Sequence, residues 1–175
     1  NIPWNRVVKM MREQTNLAEQ GDFTTVWLTE HHFAHNGYLN APPNPIMMSL
    51  DLASHSKKIR VGQAPIVLPD WHPLRVAEDV ALLDNMTEGR VDFGVAKGIN
   101  ERVTLQFNKE ADRRDNEKSY RLFMESLEVI LKAWTQDPFK HKGEFYEFPV
   151  PGWKETNRFL MPLEKEYHSE DGEYT

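Results

Sequence analysis

Two neighbouring histidines and a glutamate follow the first segment of the sequence that resembles a β-strand. Residues Thr24–Thr29 are rich in β-branched and aromatic side chains, which favours a strand. Glu30, His31 and His32 come directly after it. A carboxylate beside two imidazoles can transfer protons near neutral pH, bind an anion or ligate a metal ion. These three residues are therefore the first candidates for a catalytic site.

The residues that follow two other strand-like segments, Ile59–Gly62 and Val91–Val95, complete the candidate set. They are Gln63, Ala64 and Pro65 after the first segment, and Ala96, Lys97 and Gly98 after the second. In parallel α/β folds, ligands bind beyond the carboxyl ends of the strands, so we expect these residues to line one site. Lys97 could hold an anionic ligand or cap a solvated strand end, and both interpretations stay open.

A metal site is the less favoured interpretation of the histidines. Consecutive residues of an extended segment point to opposite faces, so His31 and His32 would not readily ligate the same ion. The histidines outside this loop show no metal-ligand spacing among themselves. We therefore predict no metal ligands. Two alternatives remain, namely a contribution from His35 in the same loop and a barrel hydrolase that uses Glu30 and the histidines with a metal.

The segments between the strands have the periodicity of helices. Apolar residues recur at helical spacing in segments that begin near Pro3, Pro45 and Pro73, and a fourth helix is predicted over about Asp115–Thr135. Proline suits the first turn of a helix. Strands that alternate with crossover helices predict parallel pairing and the α/β class. The pattern leaves open a doubly wound sheet or part of a (β/α)₈ barrel.

The chain after Gly98 lacks this alternation. Residues 100–118 are charged and weakly periodic, a short strand or hairpin is predicted near Glu144–Phe148, and the remaining tail indicates irregular chain. We predict a single domain in three parts. They are a β/α core over residues 1–98, a helical segment over 99–135 and an irregular excursion over 136–175.

Composition narrows the classes of protein. The 175 residues include 21 Lys and Arg and 27 Asp and Glu, a formal net charge of −6, which disfavours nucleic-acid binding because phosphate-tracking surfaces are basic. The absence of cysteine excludes disulfides, thiolate metal sites and a cysteine nucleophile. No apolar run approaches the roughly 20 residues of a membrane span, and the N-terminus has no signal-peptide layout. We expect a cytoplasmic protein that binds neither nucleic acid nor membranes.

An ordered series of short motifs resembles the bacterial-luciferase-like flavin-dependent monooxygenases. Each motif alone is weak, but their order and spacing between about Gly21 and Pro149 are specific. The motifs are Thr29-Glu30-His31-His32-Phe33, Asn44-Pro45, Val67-Leu68-Pro69, His72-Pro73, Arg75, Glu78-Asp79, Leu83-Asp84, Gly89-Arg90, Phe93-Gly94 and Gly143-Glu144-Phe145-Tyr146-Glu147-Phe148-Pro149.

The resemblance implies a (β/α)₈ TIM barrel that uses reduced flavin mononucleotide (FMN) and O₂ to oxidise a small organic substrate such as an aldehyde. A flavin reductase would supply the reduced FMN, and relatives that use a deazaflavin are the neighbouring alternative. By position, His31 matches the family's acid or base near the flavin ring, and Glu30 and His32 flank it. Ala96 stands where luciferase has a reactive cysteine, which argues against light emission.

The resemblance also bears on the other two strand ends. Lys97 stands where many relatives have an arginine. We expect the cofactor to be contacted by residues of both strand ends, namely Ala64, Pro65, Lys97 and Gly98.

The length of the chain differs from that of the implied fold. A (β/α)₈ barrel takes about 250 residues, and only the segments expected for its strands two, three and four are visible in these 175 residues. We therefore expect the N-terminal half of a barrel, with little activity and no tightly bound flavin on its own. Its open sheet edges predict a homo-oligomer. A non-catalytic half-barrel that serves as a binding or assembly module is the alternative from another class.

Overall fold

Helices and parallel strands alternate along residues 2–33 and 41–152, the part of the chain that this computed structural model describes. His35 and residues 153–175 lie outside it. The helices are α1 (Trp4–Gln20), α2 (Pro45–Ser54), α3 (Pro73–Met86), α4 (Glu101–Phe107) and α5 (Asn116–Thr135). The strands are β1 (Thr25–Leu28), β2 (Arg60–Gln63), β3 (Ile66–Val67), β4 (Val91–Asp92), β5 (Val95–Ala96), β6 (His141–Lys142) and β7 (Glu147–Phe148). Short 3₁₀ turns occupy Leu68–Asp70 and Lys109–Ala111.

The strands before α4 pair in parallel, which confirms the predicted α/β class with flanking helices. β2 lies between β1 and β4, with Val61 opposite Val26 on one side and Val91 on the other. β3 pairs in parallel with β5 beyond the ends of β2 and β4. Among the described residues these strands form an open three-stranded sheet and a separate two-stranded sheet, and they do not close into a barrel.

The three-stranded sheet is covered by helices on one face. Leu28 and Val61 are buried against Leu52 and Ala53 of α2, in a core that Met11 of α1 also contacts. Side chains alternate along a strand, so the residues between them point to the opposite face. That face carries Trp27, which is about half exposed. No helix of the described chain is long and apolar enough to cross a membrane.

A second core joins α3 and α5 to the strand ends. Ile66 and Leu68, which begin β3 and the first 3₁₀ turn, are buried together with Val76 and Val80 of α3 and Ile130 of α5. Burying side chains of this size stabilises the fold by roughly 1.5–3 kcal/mol each. This packing fixes the position of the turn that links β3 to α3, and the candidate site uses that turn.

Three differences from the sequence predictions have physical causes. The single strand predicted over Val91–Val95 is divided, because Gly94 passes close to the Gln63 carbonyl while its own carbonyl accepts a hydrogen bond from the Ile66 amide (2.8 Å). A helix, α4, occurs within the weakly periodic residues 100–118, where the Asn100 side chain accepts from the Arg102 amide. The predicted hairpin begins earlier, at His141.

Candidate active site

A cavity of about 450 Å³ lies at the carboxyl ends of β1, β3 and β5. Most of the residues predicted from the three strand ends line it. They are Glu30, His31, His32, Pro65, Lys97 and Gly98. Ala64 lies next to Pro65 but is exposed and is not part of the cavity wall. Ala96 lines the cavity as well, whereas Gln63 does not. The structure thus brings together seven of the nine residues predicted from the strand ends, while their roles in catalysis and cofactor binding stay predictions.

Glu30 connects the end of β1 to β3 and to the turn before α3. Its side chain is completely buried, and its Oε2 accepts a hydrogen bond from the Val67 amide (2.8 Å). Its Oε1 accepts one from the indole Nε1 of Trp71 (2.9 Å) and lies 2.8 Å from Nε2 of His32. A buried carboxylate is costly unless it is hydrogen-bonded, and these three partners meet that requirement. Glu30 therefore holds the wall of the cavity together.

The two histidines occupy different surroundings. His32 is largely buried and points to the same side of the chain as Glu30. Its ring packs against Phe107 of α4 at a centroid distance of 4.6 Å. Phe107 also stacks on Phe33. His31 is half-buried and lines the cavity, and its backbone amide donates to the Pro42 carbonyl (3.4 Å). His32 is thus held by its neighbours in a fixed cluster, whereas His31 is a wall residue of the cavity.

Asp70 is a cavity residue that the sequence analysis did not select. It ends the 3₁₀ turn after β3, and one of its carboxylate oxygens lies within 4.8 Å of ligand atoms of Glu30 and His32. Burial, reinforced by the negative charge of Glu30, raises the pKa of Asp70 to about 7, although His32 and a hydrogen bond with Thr104 oppose the change. The rule that selected Glu30, position after a strand, reaches Asp70 only once the two-residue strand β3 is known from the structure.

The trio of Glu30, His32 and Asp70 has the donor types of a metal site. Both oxygens of Glu30 are, however, already acceptors for protein donors, and Nε2 of His32 is one of those partners. A metal ion would have to displace these hydrogen bonds. The arrangement is therefore better described as a hydrogen-bonded cluster of two carboxyl groups and an imidazole.

Lys97 and Gly98 form the opposite side of the cavity. The ammonium of Lys97 donates to Oδ1 of Asn116 at the start of α5 (2.5 Å). Gly98 has a positive φ of 81°, and a Cβ at this position would lie 2.7 Å from Cγ1 of Val67. Only glycine meets both conditions without strain, so the backbone here can approach β3 closely. Lys97 is held beside the cavity as a positive charge that an anionic ligand could use.

Comparison with known proteins identifies the family to which the chain belongs. Residues 5–163 match the family of luciferase-like monooxygenases. The oxygenase component of flavin-dependent trigonelline monooxygenase from Acinetobacter baylyi is 30% identical over 139 residues, which cover 79% of this chain and 37% of that protein. The alkanal monooxygenase alpha chain of the Kryptophanaron alfredi symbiont is 33% identical over 143 residues, covering 82% of this chain and 38% of that protein.

Two solved structures show the same fold at low sequence identity. The oxygenating constituent of 3,6-diketocamphane monooxygenase from Pseudomonas putida, in complex with FMN, has a TM-score of 0.73 at 20% identity and covers 84% of this chain and 39% of that chain. The coenzyme F420 dependent tetrahydromethanopterin reductase of Methanopyrus kandleri has a TM-score of 0.59, also at 20% identity, covering 83% of this chain and 41% of that chain.

The family match extends over most of the chain, and the chain therefore belongs to the luciferase-like monooxygenases. This confirms the resemblance that the ordered motifs indicated. The chain spans about two fifths of the length of these relatives.

Proposed function

We propose that this chain carries the acid–base side of the active site of a flavin-dependent monooxygenase, which oxidises a small organic substrate such as an aldehyde with O₂. The observation that supports this most strongly is the convergence of the strand-end residues His31, Glu30 and Lys97 on one cavity. Family membership supplies the reaction class. The aldehyde rests on the likeness to alkanal monooxygenase.

The cavity has features that fit part of a flavin. Its volume of about 450 Å³ lies within the usual range for small-molecule sites, roughly 300–1,000 Å³. Gly98 leaves backbone where a side chain would collide with Val67, and Lys97 offers a positive charge for an anionic group. Pro65, Lys97 and Gly98 would hold the cofactor. When bound, reduced FMN supplies the electrons that activate O₂, and the protein supplies position and proton transfer.

His31 is the residue we assign to proton transfer. A histidine ring can take up and release a proton near neutral pH, and His31 lines the cavity. Glu30 and His32 lie beside it in the cavity wall, and their hydrogen bond and the contact of His32 with Phe107 hold residues 30–32 in place. The half-burial of His31 leaves it accessible to a ligand while limiting water.

We infer a two-component system in which a separate flavin reductase delivers the reduced FMN. The relatives support this, since one is named as an oxygenase component and another as an oxygenating constituent. Such delivery would place the protein in the cytoplasm. Because the chain spans about two fifths of its relatives, we also propose that these 175 residues alone bind FMN more weakly than a full-length barrel does.

The test is the substitution His31→Ala in a full-length version that contains this sequence. We expect turnover with reduced FMN, O₂ and an aldehyde to fall by about 10²–10⁴-fold, the usual contribution of a general acid or base. His55→Ala is the matched control, because His55 lies at the exposed end of α2, away from the cavity. Unchanged turnover in His31→Ala would remove His31 from the mechanism, and absence of substrate-dependent O₂ use would contradict the monooxygenase proposal.

A deazaflavin-dependent oxidoreductase is the second candidate, favoured by the structural likeness to the coenzyme F420 dependent reductase. The two functions differ in the role of oxygen. The full-length version would be supplied in parallel with reduced FMN and with reduced F420, with and without O₂. Reduction of the substrate by reduced F420 in the absence of O₂ would support the second candidate. Oxidation of the substrate that requires both reduced FMN and O₂ would support the first.

A further inference from the structure

Asp70 lines the cavity, but the proposed function assigns it no role. It lies at the end of the 3₁₀ turn between β3 and α3 and contributes to the cavity wall. Its Oδ1 is buried and has no hydrogen-bond partner among the described residues. A buried carboxylate oxygen without a donor is costly when the group is charged and much less so when the group holds a proton.

The neighbouring Glu30 uses the donors that could otherwise stabilise a negative charge on Asp70. Its carboxylate lies beside the Val67 amide, the Trp71 indole and the His32 ring. Hydrogen bonds to a carboxylate favour its charged form, and two carboxylates this close are not readily charged together. One proton shared between the two groups therefore belongs on Asp70. The pKa of Asp70, raised to about 7 first by burial and then by Glu30, agrees with this geometry.

The other groups around Asp70 do not change this assignment. From α4 the neutral hydroxyl of Thr104 contacts it. On α5, the buried Ile130 packs in the same apolar core as Leu68, which begins the 3₁₀ turn that Asp70 ends. His31 and Lys97 are the remaining titratable residues of the cavity wall. Lys97 is already held by Asn116.

We propose that Asp70 is the proton-holding residue of this site: Glu30 and Asp70 together carry one negative charge, the proton resides on Asp70, and its O–H faces a ligand as a hydrogen-bond donor. The expected ligand group is an acceptor oxygen, such as the carbonyl of a substrate or of a flavin ring. Loss of the proton adds a second negative charge to the cavity and removes the donor. Asp70 thereby makes the site sensitive to pH around neutrality. The assignment deepens the proposed function, but the proton itself is a property of the folded chain.

The experiment measures that proton without any cofactor. Carbon-13 NMR of aspartate-labelled protein between pH 4 and pH 9 is expected to show one carboxyl group that titrates near pH 7. Asp70→Asn should abolish this titration, because the amide has nearly the same shape and cannot ionise. Asp79→Asn, on the partly exposed surface of α3, is the matched control and should leave it unchanged. Glu30→Gln should lower the titration midpoint of Asp70 by removing a negative neighbour.

A second measurement tests the proposal even if Glu30→Gln fails to fold. An acid whose pKa is higher in the folded than in the unfolded chain contributes stability that is lost as pH rises from about 4 to about 7. The free energy of unfolding of the wild-type chain, measured with urea, should therefore fall over this interval relative to that of Asp70→Asn. The proposal is wrong if no aspartate titrates above pH 6, or if the titration survives in Asp70→Asn. It is also wrong if micromolar Zn²⁺ removes the titration in wild type and binds no longer to Asp70→Asn, since the cluster would then be a cation site. None of these outcomes depends on whether the proposed function is correct.

Discussion

Glu30 combines a structural task with its place in the candidate active site. Its carboxylate holds the Val67 amide and the Trp71 indole, so it joins β1 to β3 and to the start of α3. Removing it would leave two donors and His32 without their partner, at a cost of roughly 1–3 kcal/mol for each buried polar group. A loss of activity on changing Glu30 would therefore report folding as well as chemistry. His31, which lines the cavity, is the cleaner target for a functional test.

Gly98 gives a sharp prediction at the scale of one residue. Alanine at this position is strained twice, by the positive φ of 81° and by the 2.7 Å approach of its Cβ to Cγ1 of Val67. We expect Gly98→Ala to lower the free energy of unfolding by roughly 2–5 kcal/mol, of which about 1–2 kcal/mol is backbone strain and the rest overpacking. Urea denaturation followed by tryptophan fluorescence measures the change.

Gly89→Ala separates the two contributions to that prediction. Gly89 has the same φ of 81°, but nothing lies within 4 Å of the position that a Cβ would take. The control should therefore lose only the backbone strain, about 1–2 kcal/mol. Equal destabilisation of the two variants would show that the contact between Gly98 and Val67 does not constrain the cavity wall.

One glutamate of α5, Glu125, holds the turn of the hairpin formed by β6 and β7. Glu125 accepts hydrogen bonds from the backbone amides of Glu144, Phe145 and Tyr146, at 2.8–3.1 Å, and lies 3.1 Å from Nε2 of the buried His141. A Cβ at residue 143 would come within 2.1 Å of Oε1 of the same carboxylate, so a larger residue there would displace Glu125 from these amides. The turn of the hairpin thus wraps around a single negative charge.

Replacing that charge should loosen the hairpin. Hydrogen bonds to charged groups contribute roughly 1.5–3 kcal/mol, so we expect Glu125→Gln to destabilise the docked hairpin by about this amount. The amides of residues 144–146 should then exchange with deuterium faster than those of β1 and β2. Glu13→Gln, which removes an exposed charge paired with Lys9 on α1, is the control and should leave exchange unchanged. Equal exchange in both variants would show that other contacts hold the hairpin.

The sequence predicted elements well where periodicity was strong, and missed them where tertiary contacts decide. The helix starts at Pro45 and Pro73 and the parallel strands follow from local patterns that the structure confirms. α4 was missed because its seven residues are mostly exposed, which leaves no long apolar stripe to detect. The break in the strand at Gly94 depends on the Gln63 carbonyl across the sheet, a contact that no local pattern contains.

The same distinction applies to the candidate site. Glu30, His31 and His32 were found because strand ends are visible in the sequence. Asp70 escaped because the strand before it is only two residues long and merges with a 3₁₀ turn. Glu30, which contributes to the raised pKa of Asp70, lies forty residues earlier in the chain, and long-range pairs of this kind become visible only in the folded structure.

At the scale of the molecule, the open sheet is the dominant feature of the described residues. β1 and β4 are its outer strands, each paired on one side only. The face opposite the helices carries Trp27, which is 55% exposed and lies over Gly62, where a Cβ would come within 2.4 Å of the indole. This face also carries the ion pair of Arg60 with Asp92. Open edges and an exposed aromatic ring favour association, because unpaired backbone groups and apolar area can then be buried.

We therefore propose that the 175-residue chain self-associates through this face. Light scattering at micromolar concentration should give a mass above the 20.5 kDa of one chain. Trp27→Lys should shift the protein towards the monomer, because a charged side chain opposes burial of the face. Phe23→Lys is the control, since Phe23 is even more exposed (68%) but precedes β1 and lies outside the sheet. A monodisperse wild-type monomer would contradict the proposal. An equal effect of both substitutions would show that association follows general surface hydrophobicity, and the open face would then have no special part in it.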